Sequence, residues 1–397
     1  MADVEARADA YRMGHDHALE RLRERALRIG GVALVASLVG ALFAQEQFFR
    51  SYLVAYMLWL GVALGSMGIV MIHHITGGRW GAVLRRPLEA AGRTVPLMAV
   101  LFVPIVFGMH DLYHWTHADA VAHDPVLQHK AVYLNVPFFL VRALVYFVVW
   151  TVLAMLLARW SAEQDRGHTP AIGRKLHFLS RGGLLLYAMT MTFASVDWVM
   201  STDPHWFSHI YGVIFTGGQI LTAMVVMIPV AASISENEPF DRILTGDRFH
   251  DLGKLLLAFI MLWAYFALSQ YLIIWSGNLP EEAPWYIRRL SGGWQYVGSG
   301  LILVHFVAPF VVLLSRSVKR QPRMLARVAG VLLVARFLDL HWLVTPTFFP
   351  GQLHFHWLDL TTAVGLGGLW FWFFVGQLRE RPLVPVCAPE IVEEVRA

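Results

Sequence analysis

Apolar residues run along this chain in blocks of roughly 20, too long and too uninterrupted for the single stripe of an amphipathic surface helix. One block reads YLVAYMLWLGVALGSMGIVMI (52–72) and another YGVIFTGGQILTAMVVMIPVAA (211–232). At 1.5 Å per residue, about 20 apolar residues cross the hydrocarbon core of a bilayer as a helix. About ten such spans are expected, over roughly 27–45, 49–74, 93–110, 131–159, 176–200, 204–234, 250–276, 292–316, 324–344 and 357–378. The fold class expected is an all-α integral membrane protein.

The polar punctuation between the blocks gives an orientation. Of 32 Lys and Arg, about 26 fall on one side of the expected topology, in the N-terminus, alternate loops and the tail. Arg79, Arg85, Arg86 and Arg93 fill one such loop; Arg159, Arg166, Arg174 and Lys175 fill a second; Arg316, Lys319, Arg320, Arg323 and Arg327 fill a third. Arg50, Lys130, Arg288 and Arg289 lie opposite, while Arg142 and Arg336 lie inside spans. Excess Lys and Arg mark the cytoplasmic side, so both termini are expected there.

Composition agrees with this class. The chain is 57% hydrophobic and 15% charged, with mean hydropathy +0.53. A soluble domain carries about a quarter charged residues. The net charge of +4 comes from loops facing one side, so no nucleic-acid partner is expected. The one cysteine, Cys387, allows neither a disulfide nor a thiolate metal site, and no C-x-x-C-H attaches haem c. The charged N-terminus lacks the short apolar core of a signal peptide, so the first span is expected to stay in the mature chain.

A weak internal repeat is visible. Helices two to five and six to nine share loop signs, with HDLYHW (110–115) against SQYLIIW (269–275) and DWVMSTDP (197–204) against HWLVTPTF (341–348). The copies keep the same topology and suggest two tandem four-helix bundles. The division expected is 1–26 N-terminal segment, 27–48 peripheral helix, 49–203 first bundle, 204–350 second bundle, 351–378 tenth helix and 379–397 tail. Gly61 and Gly65 form a small-xxx-small pair that permits close helix contact.

The stretch FASVDWVMSTDPHWFSHIYG (193–212) concentrates polar residues between two apolar blocks. Much of it reads as a turn: Asp203 before Pro204 as the cap of the sixth helix, Trp198 and Trp206 in the aromatic belt, and His205 and His209 at the interface. Asp197 is different, because it lies within the fifth helix. A buried carboxylate must be paired, neutralised or hydrated. Pairing with Arg142, about 16 Å along the fourth helix, is one reading; a proton acceptor beside a redox or transport pocket is the other.

Other candidates gather at helix ends. His110 and His114 are spaced i and i+4, with Asp111 on the adjoining face, a pattern for a hydrated acid–base cluster. No further ligand at a fitting spacing accompanies them, so no metal is expected. The loop His117, His123 and His129 read as surface residues. In the second half, Arg336 and Asp339 are i and i+3, with His341 following and Gln270 near the outer end of the seventh helix. His305 is the histidine nearest mid-bilayer, yet haem b would need a partner histidine at matching depth. His73 and His74 close the second helix and are candidates for the inner end of a proton path. Thr190, Thr192, Ser195, Thr216 and Gln219 could hold water between the two sides.

Three stretches carry a resemblance: FASVDWVMSTDPHWFSHIYGVIFTGGQ (193–219), FALSQYLIIWSGNLPEEAPWYIRR (266–289) and HHITGGRWGAVLRRPLEAA (73–91). They resemble the NrfD-like F subunit of bacterial alternative complex III, a ten-helix protein of two four-helix bundles in a quinol:cytochrome c oxidoreductase. The resemblance implies a multi-pass protein of the bacterial cytoplasmic membrane. It implies partners holding the redox centres: a multihaem cytochrome c, an iron–sulfur subunit, an NrfD-like C subunit and, downstream, a terminal oxidase. This chain would bind no cofactor covalently, and contact with a quinone such as menaquinone is the one ligand in view. Proton translocation is the role the resemblance favours. Asp197, Asp111, His110 and His114 would then handle protons or contact quinone, Arg142 would tune Asp197, and Asp339 with His341 would be the second bundle's set. A proton-coupled secondary transporter and a purely structural anchor for redox subunits are the alternatives. No clear pair of broken helices near mid-membrane speaks for the transporter.

Overall fold

The computed structural model describes residues 9–14, 17–165 and 169–387. Arg166, residues 1–8 of the expected N-terminal segment and residues 388–397 of the tail lie outside the described residues. The long helical segments are α1 (Ala18–Ala41), α2 (Gln45–Thr76), α3 (Arg85–Phe107), α4 (Val136–Asp165) and α5 (Pro170–Trp198). They continue as α6 (Tyr211–Ile234), α7 (Gly246–Gly277), α8 (Trp294–Leu314), α9 (Pro322–Phe348) and α10 (Trp357–Leu378). Among the described residues there is no strand, and nine helices are long and apolar enough to cross a membrane. The chain is an all-α, multi-span membrane protein. The tenth long segment, α1, falls short because Glu20, Arg21, Arg23, Glu24, Arg25 and Arg28 crowd its first half.

Three helix starts differ from those expected by seven residues or more, each for a local reason. α1 starts nine residues early, at Ala18 rather than 27, because the His17 ring caps it by accepting from the Leu19 amide at 3.1 Å. α3 starts at Arg85 rather than 93, and it is three short helices in line, interrupted ahead of Pro96 and Pro104. A proline lacks the amide that would continue the helix and crowds the carbonyl four residues back. α6 starts at Tyr211, not 204. Asp203 does not cap it; its carboxylate is taken by Arg288, and Pro204 sits in a turn whose carbonyl accepts from Lys130 Nζ at 2.6 Å.

α2 and α6 form the centre. The most apolar window of α2 is 94% buried and that of α6 72%, against 22% for α7 and α8. α2 packs on α3, α5, α6, α9 and α10, and α6 on α2, α5, α7 and α9. The two central helices touch at Gly65, where a Cβ would lie 2.0 Å from the Gln219 carbonyl oxygen. The close contact expected of the Gly61/Gly65 pair is made at Gly65, while a Cβ on Gly61 would come no nearer than 3.4 Å to its neighbours. α1 lies along α10 on the outside, where Gly30 approaches Gly368 so closely that a Cβ on Gly30 would meet its Cα at 2.7 Å. The Leu383 amide donates to the Tyr11 carbonyl at 2.8 Å, so the chain before α1 and the tail share one face, called proximal below; the other face is distal.

Candidate functional site

In the first half, α4 and α5 bring Arg142 to Asp197. The guanidinium donates twice to the carboxylate, Nε to Oδ2 and Nη2 to Oδ1, both at 2.9 Å. Tyr146, one turn along α4, adds its hydroxyl to Oδ2 at 2.8 Å. Asp197 is 0% exposed, so these three donors replace water entirely. Arg142 is itself held by the Tyr133 carbonyl at 3.0 Å and lies 3.9 Å from the Tyr133 ring centre and 4.2 Å from that of Phe138. Beside the pair, Trp198 packs among Phe102, Phe147, Trp150 and Tyr146 and accepts at its carbonyl from the Tyr113 hydroxyl. Burial pushes the Tyr113 phenol up, further helped by the Asp197 charge, so it stays a donor.

The second half holds another ion pair, made within one helix. Arg336 Nη1 donates to Asp339 Oδ2, and Trp263 of α7 donates to the same oxygen at 3.0 Å. Arg336 Nε reaches Thr222 of α6 at 3.2 Å, and Gly218 leaves the space its guanidinium occupies. His305 lies against Trp263, with ring centres 3.9 Å apart and the planes tilted by 53°. It is 0% exposed, and among the described residues neither ring nitrogen has a hydrogen-bond partner. Its segment, Ile302–Val307, is a π-helical turn. Pro309 explains the turn, since it cannot donate to the His305 carbonyl and its ring crowds that group.

His341 does not join this set. It is fully buried, but its ring bonds lead to the His354 carbonyl at 3.0 Å and the Thr345 hydroxyl at 3.1 Å. The expected Asp339–His341 grouping is therefore corrected: two residues apart on a helix, their side chains point to different neighbours. The His341 neighbourhood leads to Asp359 at the start of α10. Asp359 accepts from Ser51 at 2.5 Å, Gln47 at 3.3 Å and the His356 amide at 2.8 Å, while His354 meets Gln47 at 3.0 Å. Burial pulls the His354 imidazole down from its ordinary value, against the Asp359 charge.

The His110/His114 reading also changes. α3 ends at Phe107; Met109–Leu112 is a separate short helix, and His114 lies in a 3-10 turn after it. The two histidines are exposed, each facing His117, whose ring stacks on His110 at 3.7 Å and lies 5.8 Å from His114. Asp111 accepts from Gln45 at 2.9 Å. None of the three hydrogen-bonds to Asp197. Likewise His205, at the distal face, meets Asp124 at 2.6 Å and pins one loop to another.

At the proximal face, sequence reasoning placed Arg85 and Arg86 in a loop as topology markers. They are 2% exposed and form a buried network. Arg85 donates to Glu89 at 3.0 Å, Ser161 at 2.7 Å and Gln164 at 2.6 Å. Arg86 donates to Glu89 at 2.6 Å, to Ser161 at 2.9 Å and to Asp165. His74 lies in the field of Arg85 and Glu89, and its carbonyl meets His177 at 3.0 Å; His73 is buried beneath Gly81 and against Trp80. Glu89, Asp165 and Asp359 were not singled out from the sequence. The signal for Glu89 was present as its i+3 and i+4 spacing from Arg86 and Arg85.

Arg289 is a further buried charge, held by carbonyls with no carboxylate hydrogen-bonded to it among the described residues. It is 0% exposed and donates to the carbonyls of Trp342 at 3.1 Å, Leu343 at 2.5 Å and Trp285 at 3.0 Å. Burial lowers its pKa to about 9. Among the described residues no three His, Cys, Asp or Glu side chains converge as a metal site. In comparison with known proteins, no family model and no curated sequence matches the chain.

Proposed function

We propose that this chain is a non-haem integral subunit of a respiratory quinol-oxidising complex of the alternative complex III type, in which its buried ionisable groups handle protons. The observation that carries the reading is the number of charges held inside the span region: Arg142–Asp197 and Arg336–Asp339, with Arg85, Arg86, Glu89 and Asp165 at the proximal face. Ionisable groups inside a membrane are expensive and mark ion or proton pathways more often than packing. The stretches 73–91, 193–219 and 266–289 that carry the family resemblance contain Arg85, Arg86, Glu89, Asp197, Asp203 and Arg289, whereas Arg142, Asp165, Arg336 and Asp339 lie outside them, so the resemblance takes in part of the buried charges.

In this reading quinol oxidation releases two protons with two electrons. The electrons pass through partner subunits holding haem c and iron–sulfur clusters. Protons move through this chain, with the proximal face cytoplasmic as the Lys and Arg distribution favours. The fork ties the charge of Asp197 to the position of the Arg142 guanidinium, so a change at one is felt at the other. Tyr187 of α5 donates to Gln219 of α6 at 2.8 Å, and Thr222, one turn along α6, accepts from Arg336 at 3.2 Å.

The test starts with mild-detergent purification of the tagged chain and mass spectrometry of what accompanies it. A multihaem cytochrome c and an iron–sulfur protein are expected; a chain that purifies alone sinks the assignment. In the assembled complex, Asp197→Asn keeps the shape and the Tyr146 acceptor. It is expected to leave assembly intact and slow proton-coupled quinol turnover at least about tenfold. Loss of the complex instead would make Arg142–Asp197 a structural pair, where breaking one partner costs about 3–5 kcal/mol.

A further inference from the structure

The proximal network is roofed by a short piece of chain. Arg85, Arg86 and Glu89 are only 2–5% exposed although they sit in the first turns of α3, where a helix end ordinarily meets water. The cover is the segment after α10. Arg381 Nη1 donates to the Ala158 carbonyl at 2.7 Å, the Leu383 amide to the Tyr11 carbonyl at 2.8 Å, and Cys387 Sγ to the Asp165 carbonyl at 3.4 Å. Leu383, Val384 and Val386 are 1–2% exposed. The segment thus runs along the last turns of α4, past the residues that hold Arg85 and Arg86, with Tyr11 gripping its middle. A narrow cleft lined by Arg86, Glu89, Arg93, Gln377 and Arg381 remains beside it. Inside the network, Arg86 Nε and Asp165 Oδ1 are buried with no hydrogen-bond partner among the described residues. Buried polar atoms of that kind are the usual partners of water.

We propose that Arg381–Cys387 is a detachable strap that closes the proximal mouth of this network, and that water reaches Glu89 and Asp165 when it lifts. The attachment suits a moving part. Its contacts to the described residues include a guanidinium–carbonyl bond, the backbone bond to Tyr11 and a thiol–carbonyl contact, none of which joins opposite charges, whereas the network beneath is tied by several charge-assisted bonds. The strap deepens the proton-handling reading and rests on it for its purpose: a buried carboxylate that exchanges protons with the proximal side needs a wettable route, and the strap lies across it.

Access can be measured without electrons or partners, so failure here is separable from failure of the respiratory assignment. Cys387 is the only cysteine in the sequence, and Cys387→Ser gives a thiol-free background that keeps a hydroxyl able to donate to the Asp165 carbonyl in place of the thiol. Ser161, 0% exposed inside the network, becomes the reporter as Ser161→Cys. The full chain in native membrane vesicles is treated with a membrane-impermeant methanethiosulfonate from the proximal side. Slow labelling is expected with the strap intact. Leu383→Pro removes the amide that reaches Tyr11, and Arg381→Ala removes the bond to Ala158. Each is expected to speed labelling about tenfold, the factor that one lost hydrogen bond supplies. Ser195→Cys, 0% exposed near the other end of α5, is expected to stay unlabelled throughout. Equal rates with and without the strap contacts overturn the proposal, as does fast labelling with the strap intact. A parallel rise at Ser195→Cys also overturns it, because the opening would then be global.

Discussion

At the scale of single residues, depth along a helix was the legible quantity. The 1.5 Å rise placed Arg142 and Asp197 within reach of each other, and the structure joins them by two 2.9 Å bonds. What depth could not supply was direction. Asp339 and His341 sit two residues apart yet serve different neighbours, and His110 and His114 lose their common face because the helix stops before them. His305 was legible as a mid-span histidine, but its lack of any hydrogen-bond partner is a property of three helices together. That lack leads to a prediction. A buried polar ring without partners costs about 1–3 kcal/mol relative to one that is satisfied. His305→Leu, similar in volume and wholly apolar, is therefore expected to hold or raise the melting temperature of the purified protein in detergent. A clear fall, read by intrinsic fluorescence, would mean that the imidazole has a partner, such as a bridging water, that stabilises the fold.

At the scale of elements, the apolar blocks gave the helices and the ends were set by chemistry outside the blocks. α10 agrees with its expected 357–378 bounds because Asp359 and His356 form a capping box at its start. α6 does not, since the Asp203–Pro204 pair that resembles a helix start is claimed by Arg288 from another part of the chain. Long-range ion pairs leave no local trace in sequence. α1 gains its early start from His17, whose Nδ1 accepts the Leu19 amide and must be unprotonated to do so. Burial lowers the His17 pKa from 6.5, with the Arg21 charge adding to the effect. The folded form therefore binds fewer protons than the unfolded chain once pH drops below that value, and stability is lost as pH falls toward the folded pKa. The first turn of α1 is expected to exchange its amide hydrogens faster at pH 5 than at pH 7, beyond the intrinsic change, by an amount matching a lost cap of about 1 kcal/mol. His17→Asn, a pH-insensitive cap, should remove that pH dependence; an unchanged difference in the variant would assign the effect elsewhere.

At the scale of the whole molecule, α2 and α6 each open one of the expected halves, and their contact makes the core. α5 crosses to α6 and α9 to α2, so each half touches the other through its first and last helices. Periodicity announced neither contact, because a helix buried on all sides has no polar face to reveal its orientation. Only the glycines did. Gly65 stands where a Cβ would be 2.0 Å from the Gln219 carbonyl oxygen and 2.5 Å from its carbon, both backbone atoms that cannot swing aside. One turn earlier, a Cβ on Gly61 would find its nearest neighbour, the flexible Gln219 Cγ, at 3.4 Å, which is ordinary contact. The two positions therefore separate close helix approach from glycine content as such. Gly61→Ala is expected to leave the yield of monodisperse protein and its melting temperature unchanged. Gly65→Ala must push α2 from α6, an overpacking that costs about 1–3 kcal/mol where side chains give way and more where backbone must move. It should also disturb the line from Gln219 to Tyr187, whose 2.8 Å bond depends on the same α6 turn. If the two variants behave alike by size-exclusion fluorescence and thermal unfolding, the halves are not held together at Gly65, and the centre of the molecule has to be sought along α5–α6 instead.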